Sequence, residues 1–227
     1  MSSASPKRPN YTQISRSHKG VDAQARQQDR RRKLIEAGLE TLGTKGFHAT
    51  TVRDVCGHAS LSERYFYESF SGLAELFNTI YQDMHVELLG RIMSIFVSAR
   101  AQQSNPMEIA QAAVMAWFTF LKEDPRRAKV MLVDALGVNH QSVKGAMAAT
   151  RDYVGAIQAL VDLLYPDLAK QGLSPRLLAA CISGACIMSA REWLSSDFEA
   201  SIEAITHHLM LVIKGMNMQY QANVENR

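Results

Sequence analysis

The sequence is poor in cysteine and in net charge, and it lacks long hydrophobic runs. Three cysteines in 227 residues are too few for a disulfide scaffold, and an odd number fits a reducing compartment. The N-terminus has no apolar segment, so no signal peptide is expected. The longest uncharged, largely apolar run, 177–190, is shorter than the roughly 20 residues that a membrane-spanning helix needs. We therefore expect a cytoplasmic protein without a membrane segment.

The net charge is only +3, but the charges are unevenly distributed. Residues 1–33 hold nine lysines and arginines against two aspartates, which leaves the rest of the chain acidic. A basic segment joined to an acidic body is typical of a tail that binds phosphates. Because residues 1–28 are rich in Ser, Gln and Arg and have almost no apolar spacing, they are predicted to form a flexible arm.

Beyond residue 28 the apolar residues recur with the helical period, and no stretch alternates with the period of a strand. The sequence therefore predicts an all-α fold. Prolines and small polar residues mark where helices begin and end. The predicted helices span about 29–46, 51–58, 62–70, 73–101, from Pro106, from Pro125 to about Gly137, from about Met147 to Pro166, 175–194 and 200–218.

Two of the short predicted helices, 51–58 and 62–70, are separated by a tight turn. This arrangement is that of a helix-turn-helix, whose second helix enters the major groove of DNA by its N-terminal residues. Spacing alone is a weak signal, because short helix pairs are common in all-α proteins.

The residues of this pair closely resemble the DNA-binding domain of the tetracycline-repressor (TetR) family over about 30–77. Three segments at fixed offsets carry the resemblance: Gly46-Phe47-x-Ala49-Thr50-Thr51-Val52, Ala59-Ser60-Leu61-Ser62 and Tyr67-x-x-Phe70. The family usually has a phosphate-binding lysine three residues after this phenylalanine, whereas this chain has Leu73. The segment 34–78 has a net charge of −3, so phosphate contacts must come from elsewhere, and the basic arm can supply them.

The resemblance implies a homodimeric transcriptional regulator, usually a repressor, that a small molecule releases from a palindromic operator. It implies a three-helix DNA-binding domain over 29–72, following the arm of 1–28. A helical effector-binding and dimerisation domain is expected over 73–227.

The predicted DNA contacts combine groove chemistry with the resemblance. Arg64 can bond guanine at two positions, Glu63 can accept from cytosine, and Tyr65 can touch a thymine methyl or a phosphate. By the resemblance, Tyr67 gives its hydroxyl to a phosphate. The alternative for Arg64 is a solvated arginine that pairs with a nearby acid, and for Glu63 it is an acid favoured by the helix dipole. For the four cations of 30–33 the alternative is a solvent-facing start of the helix. The full set is Arg30, Arg31, Arg32, Lys33, Thr51, Ser62, Glu63, Arg64, Tyr65 and Tyr67.

The helices after residue 73 are predicted to enclose a largely apolar cavity. Polar groups beside their apolar stripes are few, which favours an apolar or amphipathic effector over a sugar or nucleotide. The alternative is that the same residues simply fill a core. The candidate ligand-binding residues are Tyr81, His85, Trp117, Asp134, Thr150 and Arg151.

The two C-terminal helices have more apolar surface than one subunit can easily cover. Pairing with their two-fold mates would form a four-helix interface. The residues predicted at this dimer interface are Cys181, Met188, Ile202, Ile205, Leu209, Val212 and Met216.

Motifs of catalysis and metal binding are missing: there is no His-Glu-x-x-His, no phosphate-binding glycine loop and no nucleophile elbow. The sequence therefore predicts no enzyme activity, no cofactor and no metal site, and Cys56, Cys181 and Cys186 are interpreted as small buried hydrophobes. Two alternatives stay open. The first is a helical DNA-binding protein that a protein partner controls, and the second is a helical enzyme or adaptor whose N-terminal match is incidental. A ligand-sized cavity would distinguish the effector-controlled regulator from the first alternative.

Overall fold

The structure is a computed structural model that describes residues 11–102, 104–134, 151, 154–162 and 164–225. These residues form helices joined by short turns, without a strand among them, as the sequence predicts. The helices are α1 (Tyr11–Lys45), α2 (Val52–Ala59), α3 (Glu63–Tyr67), α4 (Leu73–Gln102), α5 (Pro106–Glu123), α6 (Pro125–Lys129), α7 (154–162), α8 (Pro175–Ser195) and α9 (Ile202–Glu225). A π-helical turn, Val130–Asp134, continues α6, and 3₁₀ turns lie at Phe47–Ala49 and Ala169–Gln171.

Three predicted helix boundaries are wrong, and one of them is the end of α9, which extends to Glu225 rather than to about Met218. Helix α1 begins at Tyr11 rather than Asp29, so the residues from 11 to 28 of the predicted arm are helical. The segment 23–28 is exposed, and a helix without a buried face leaves no apolar periodicity in the sequence. Helix α3 ends at Tyr67 rather than Phe70, because residues 68–69 form a turn that brings Phe70 into the core.

Capping residues fix the ends of the helices that present the site. The hydroxyl of Thr51 accepts a hydrogen bond from the Asp54 amide, and the Asp54 carboxylate accepts one from the Thr51 amide, which is a capping box at the start of α2. Asn105 and Glu108 form the same arrangement before α5. Helix α1 stops at Gly46, whose φ of 82° is accessible to glycine and whose amide donates to the Leu42 carbonyl.

The N-terminal helices pack around buried aromatic and aliphatic side chains from α1, α2, α3 and α4. Leu34, Val55, Phe66 and Phe77 have no exposed surface. Helices α1 and α4 approach closely at Gly38, where an added Cβ would lie 2.8 Å from Ile80 Cδ1. This packing joins the long helix α4 to the three-helix unit, so α4 connects the two halves of the chain.

The C-terminal half is built from α4, α5, α8 and α9, with α7 against them. Helix α8 buries Ala179, Ser183, Cys186, Ala190 and Trp193 on one face. Of the described helices, α8 alone is long and apolar enough to cross a membrane by length and composition, and 28% of its apolar window is buried. The length argument made from the run 177–190 therefore does not hold for the whole helix, which has 21 residues.

Candidate DNA-binding surface and ligand cavity

The predicted recognition helix α3 presents most of its side chains to solvent. Glu63, Arg64, Tyr65 and Tyr67 are exposed, whereas Phe66 is fully buried and holds the helix on the core. Ser62 occupies the N-cap position but makes no capping hydrogen bond with its side chain. The helix therefore offers one continuous polar and aromatic surface.

Two of the four predicted cations of α1 pack against α3 and against the turn that follows it. The guanidinium of Arg30 lies 4.5 Å from the ring centroid of Tyr65, and that of Arg31 lies 4.6 Å from the ring of Phe70. Cations over aromatic faces are attracted by the ring quadrupole. Arg30 and Arg31 thus fix the orientation of α3 relative to α1, a packing role that the sequence did not predict.

The other two cations, Arg32 and Lys33, bind Asp29 at 2.7 Å and 3.1 Å on the exposed side of α1. Their contacts, that of Arg32 first, lower the pKa of the Asp29 carboxyl. The cluster of four cations therefore separates into a pair that supports α3 and a pair that is held by a carboxylate in solvent.

Acidic side chains also neutralise the surface of α3 itself. The Nε of Arg64 donates to Glu68 at 3.1 Å, and the same carboxylate lies 3.9 Å from Arg30. Arg64 remains 84% exposed, so it is able to exchange this partner for a base or a phosphate. The pairing of Arg64 with an acid is the alternative stated from the sequence, but the sequence did not indicate that the acid is Glu68, because a lone acid after a recognition helix has no distinctive pattern.

Thr51 is exposed at the start of α2, beside the first amides of that helix. Lys45 contacts the Asp54 carboxylate at 2.7 Å, and together with the Thr51 hydrogen bonds it holds the pKa of Asp54 well below its ordinary value. The ionised cap keeps the N-terminus of α2 formed, which is where backbone amides can meet a phosphate.

A largely enclosed cavity lies between α4, α5, α7, α8 and α9. About 740 Å³ of unfilled space lies between these helices, the open solvent at its mouth included. No charged residue lines it among the residues described. Its walls include Leu89, Ile92, Phe96, Met107, Val114, Trp117, Ile157, Leu160, Tyr165, Ile182, Cys186, Ile213 and Met216.

Of the predicted ligand residues whose side chains the structure describes, Trp117 alone lines this cavity. Tyr81 and His85 are buried on α4, and the centroids of their rings lie 4.3 Å apart. Along α4 they lie closer to the DNA-binding half than the residues that line the cavity. Arg151 is exposed, while Thr150 and the side chain of Asp134 lie outside the described residues. The ligand residues were predicted as polar residues beside an apolar stripe of a helix. Such residues can lie next to a cavity as readily as in its wall.

A charged cluster connects the effector half to α1. The guanidinium of Arg126, at the start of α6, contacts Asp124 at 2.7 Å, Glu40 at 2.8 Å and Glu36 at 3.1 Å. These acids, Asp124 first, raise the pKa of Arg126, so the cation is permanently charged. Nothing in the spacing of the sequence links residue 126 to 36 and 40.

Close packing strengthens the same junction. A Cβ added at Gly43 would overlap the side chain of Arg126 and come within 2.9 Å of its backbone. The Lys129 ammonium donates to the Thr44 carbonyl one turn further along α6. Helix α6 thus rests directly on the C-terminal part of α1, the helix that supports α3.

The predicted dimer residues differ in exposure. Cys181, Met188 and Val212 are exposed, as an interface outside the monomer core requires. The prediction that Cys181 is a small buried hydrophobe is therefore wrong. Leu209 is buried in the monomer, and Ile202 and Ile205 are half-buried against its core. Met216 lines the cavity. The apolar stripe of α9 therefore covers two faces of the helix, and the place of these four residues at a dimer interface stays a prediction.

Exposed apolar side chains of α8 and α9 form a face on the surface of the monomer. Leu177 and Met188 lie on α8, and Leu211, Val212 and Met218 lie on α9, each more than half exposed. Exposed Cys181 extends this surface between Leu177 and Met188. We call these six residues the α8–α9 face.

Among the described residues, no group of three or more His, Cys, Asp or Glu side chains is close enough to hold a metal ion. His207 and His208 are both exposed, with ring centroids 6.1 Å apart.

Comparison with known proteins agrees with this geometry. Residues 34–80 match the family described as bacterial regulatory proteins, tetR family. The HTH-type transcriptional activator FasR of Mycolicibacterium smegmatis is 25% identical over 169 residues, which is 74% of each chain.

Solved structures show the same fold. The fatty acid degradation regulator FadR from Bacillus halodurans superimposes with a TM-score of 0.71 at 18% identity, covering 81% of this chain and 93% of that one. FadR from Bacillus subtilis in complex with stearoyl-CoA gives 0.67 at 15% identity, covering 79% and 95%. Residues 34–80 therefore carry a DNA-binding domain of the tetR family, and most of the chain is similar in sequence to a transcriptional activator and in fold to the two FadR regulators.

Proposed function

We propose that the protein is a cytoplasmic homodimeric repressor that binds a palindromic operator and is released by a long-chain acyl compound. The observation that carries the effector part is the cavity, which among the described residues is lined almost wholly by alkyl and aromatic side chains and by no charged side chain. A lining of this kind favours an alkyl chain over a sugar or a nucleotide, because few of its side chains can pair with hydroxyls or phosphates. It also favours the effector-controlled regulator over one controlled by a protein partner.

Two relatives support the acyl class. The B. subtilis FadR structure holds stearoyl-CoA, and the B. halodurans FadR is described as a regulator of fatty acid degradation. The M. smegmatis relative is described as an activator, so the sign of regulation has to be measured with a promoter assay.

The DNA-binding part rests on α3 and on the basic segment before it. In the proposed complex Arg64 and Glu63 read base edges, Tyr65 and Tyr67 contact the backbone or a thymine methyl, and Thr51 binds a phosphate. The basic residues before α2 add sequence-independent affinity through counterion release. Two copies joined through the α8–α9 face would place the two α3 helices about 34–36 Å apart, in successive major grooves.

The link between the two sites is the Arg126 cluster. A ligand that moves the C-terminal end of α5 shifts Asp124 and Arg126 relative to Glu36 and Glu40, and with them the orientation of α1. The ligand can change operator affinity only by its own difference in affinity for the two arrangements, typically about 1–3 kcal/mol.

The test is a titration of the purified protein on its operator, obtained by selection from a random DNA pool. Stearoyl-CoA should stabilise the protein against heat and release the operator, and the selected motif should be palindromic. The matched variant Ala113→Leu fills the cavity with additional methyl groups and should weaken both responses while leaving operator binding intact. If stearoyl-CoA and stearic acid neither bind nor release DNA, the effector class is wrong.

A further inference from the structure

A second, smaller void borders the main cavity. It is lined on one side by Leu173 and Leu178 and on the other by Gln219, Tyr220 and Asn223 of α9. Two residues, Tyr165 and Met216, line both voids and so form the wall between them. The main void is apolar, whereas the smaller one has the two amide side chains at its edge.

Tyr165 is the unusual residue of this wall. It is only 5% exposed, and its hydroxyl has no hydrogen-bond partner among the described residues. Its ring packs edge-on against Tyr220, with the centroids 4.8 Å apart, so the ring position is fixed. A buried polar group without a partner is costly and rare in native proteins, which points to a partner that arrives with a ligand.

The chemistry of the two voids limits what that partner can be. None of the described residues that line them is charged, so a carboxylate placed among these residues would be buried without a cation. Burial also raises the pKa of the Tyr165 phenol, so the hydroxyl stays protonated and available as a donor at neutral pH. A neutral carbonyl oxygen fits both conditions.

From the unpartnered hydroxyl at the junction of the voids, we infer that Tyr165 donates a hydrogen bond to the neutral acyl carbonyl of the effector, a thioester or ester rather than a free fatty acid. The acyl chain lies in the main cavity toward Trp117, and the head group leaves past Gln219 and Asn223. This inference rests on the proposed function and specifies the recognised group of the same ligand.

The test compares three probes on the full-length protein: stearoyl-CoA, its thioether analogue S-octadecyl-CoA, and stearic acid at pH 8. The first two differ only in the carbonyl oxygen. Wild type should bind stearoyl-CoA about 2- to 12-fold more tightly than the thioether, the range expected of one net hydrogen bond. Stearic acid should bind more weakly than both CoA compounds.

Two variants identify the donor. Tyr165→Phe should bind the two CoA compounds equally, whereas Tyr220→Phe, a matched loss of a hydroxyl from the same cluster, should keep the wild-type preference. The ligand-free Tyr165→Phe protein should melt at a higher temperature, because a buried hydroxyl without a partner has been removed. The infrared carbonyl stretch of bound ¹³C-labelled stearoyl-CoA should lie at lower frequency in wild type than in Tyr165→Phe.

The outcomes separate this inference from the function on which it rests. If wild type binds both CoA compounds equally, or if Tyr165→Phe keeps the preference, Tyr165 does not recognise a carbonyl. The proposal that the effector is a long-chain acyl compound would be unaffected. If stearic acid binds as tightly as stearoyl-CoA, the neutral-carbonyl requirement is wrong. If no probe binds wild type, both the effector class and this inference are overturned.

Discussion

The two halves of the molecule use side chains in opposite ways. The DNA-binding half exposes charged and aromatic groups on α3 and holds them with caps and cation–ring contacts from α1. The effector half buries alkyl groups around a cavity that no charged residue lines among those described. Recognition of DNA therefore depends on a few named side chains, while recognition of the effector depends on the shape of a surface. Single substitutions should be more damaging to the first than to the second.

In the free protein, carboxylates pair with the cations of the DNA-binding half. Glu68 holds Arg64 and Arg30, and Asp29 holds Arg32 and Lys33. DNA phosphates and bases must displace these carboxylates, so part of the electrostatic gain of binding offsets lost ion pairs. Because exposed pairs contribute little, typically below about 1 kcal/mol each, the exchange is readily reversed.

The largest effect is expected from separating the subunits. Met188→Glu combined with Leu211→Glu places two charges on the α8–α9 face, where both side chains are exposed in the monomer. Sedimentation should show monomers, and operator affinity should fall by about 100-fold or more through loss of bivalent binding.

The matched control is Val86→Glu with Met93→Glu, which charges an exposed apolar stripe of α4 instead. These variants should remain dimeric and bind operator normally. A control that dissociates while the first pair stays dimeric would move the interface to α4.

The next largest effect concerns Arg64. Arg64→Ala should lose about 1–3 kcal/mol of binding on the operator and relax preference at one base pair of each half-site. Affinity is measured by anisotropy on the operator and on single-base variants. Arg53→Ala is the control, an arginine in α2 outside the predicted recognition helix. Equal weakening on operator and random DNA would make Arg64 a phosphate contact.

A smaller effect is expected at the junction between the halves. Arg126→Ala removes the contacts to Glu36 and Glu40, and it should reduce the factor by which stearoyl-CoA weakens operator binding, by about 2- to 30-fold at most. Binding of each partner alone should be nearly unchanged. Arg127→Ala is the control on the same helix, since its ion pairs with Glu87 and Glu123 stay within the effector half. Equal loss of coupling in both variants would remove the special role of Arg126.

The smallest effect is a pH dependence at the cap of α2. The pKa of Asp54 is lowered in the folded protein, so its carboxylate stabilises the fold above the ordinary aspartate pKa of 3.8, and this stabilisation is lost as the pH falls below that pKa. Wild type should therefore melt higher than Asp54→Asn at pH 7, and the difference should shrink below about pH 4. A difference that is constant from pH 7 to pH 3 would show that the ionised cap contributes nothing.

The same contrast explains what could be predicted from the sequence. The helix-turn-helix was predictable because caps and anchors stand at short, fixed offsets, as with Thr51, Ser62 and Phe70. Helix periodicity located the helices of the effector half as well. It could not tell which side of a helix faces the cavity, the core or a second subunit, and for that reason it did not indicate that Leu209 is buried in the monomer or that Arg151 is exposed. The Arg126 cluster and Tyr165 were missed because they depend on contacts between distant parts of the chain.

The most direct test of the central claim is to measure the coupling in both directions on the wild-type dimer. Operator affinity is measured with and without saturating stearoyl-CoA, and stearoyl-CoA affinity is measured with and without saturating operator. Because coupling between two binding sites is reciprocal, the account predicts that both affinities fall by the same factor, about 5- to 150-fold. A factor of one in both directions, with stearoyl-CoA bound in the cavity, would contradict it.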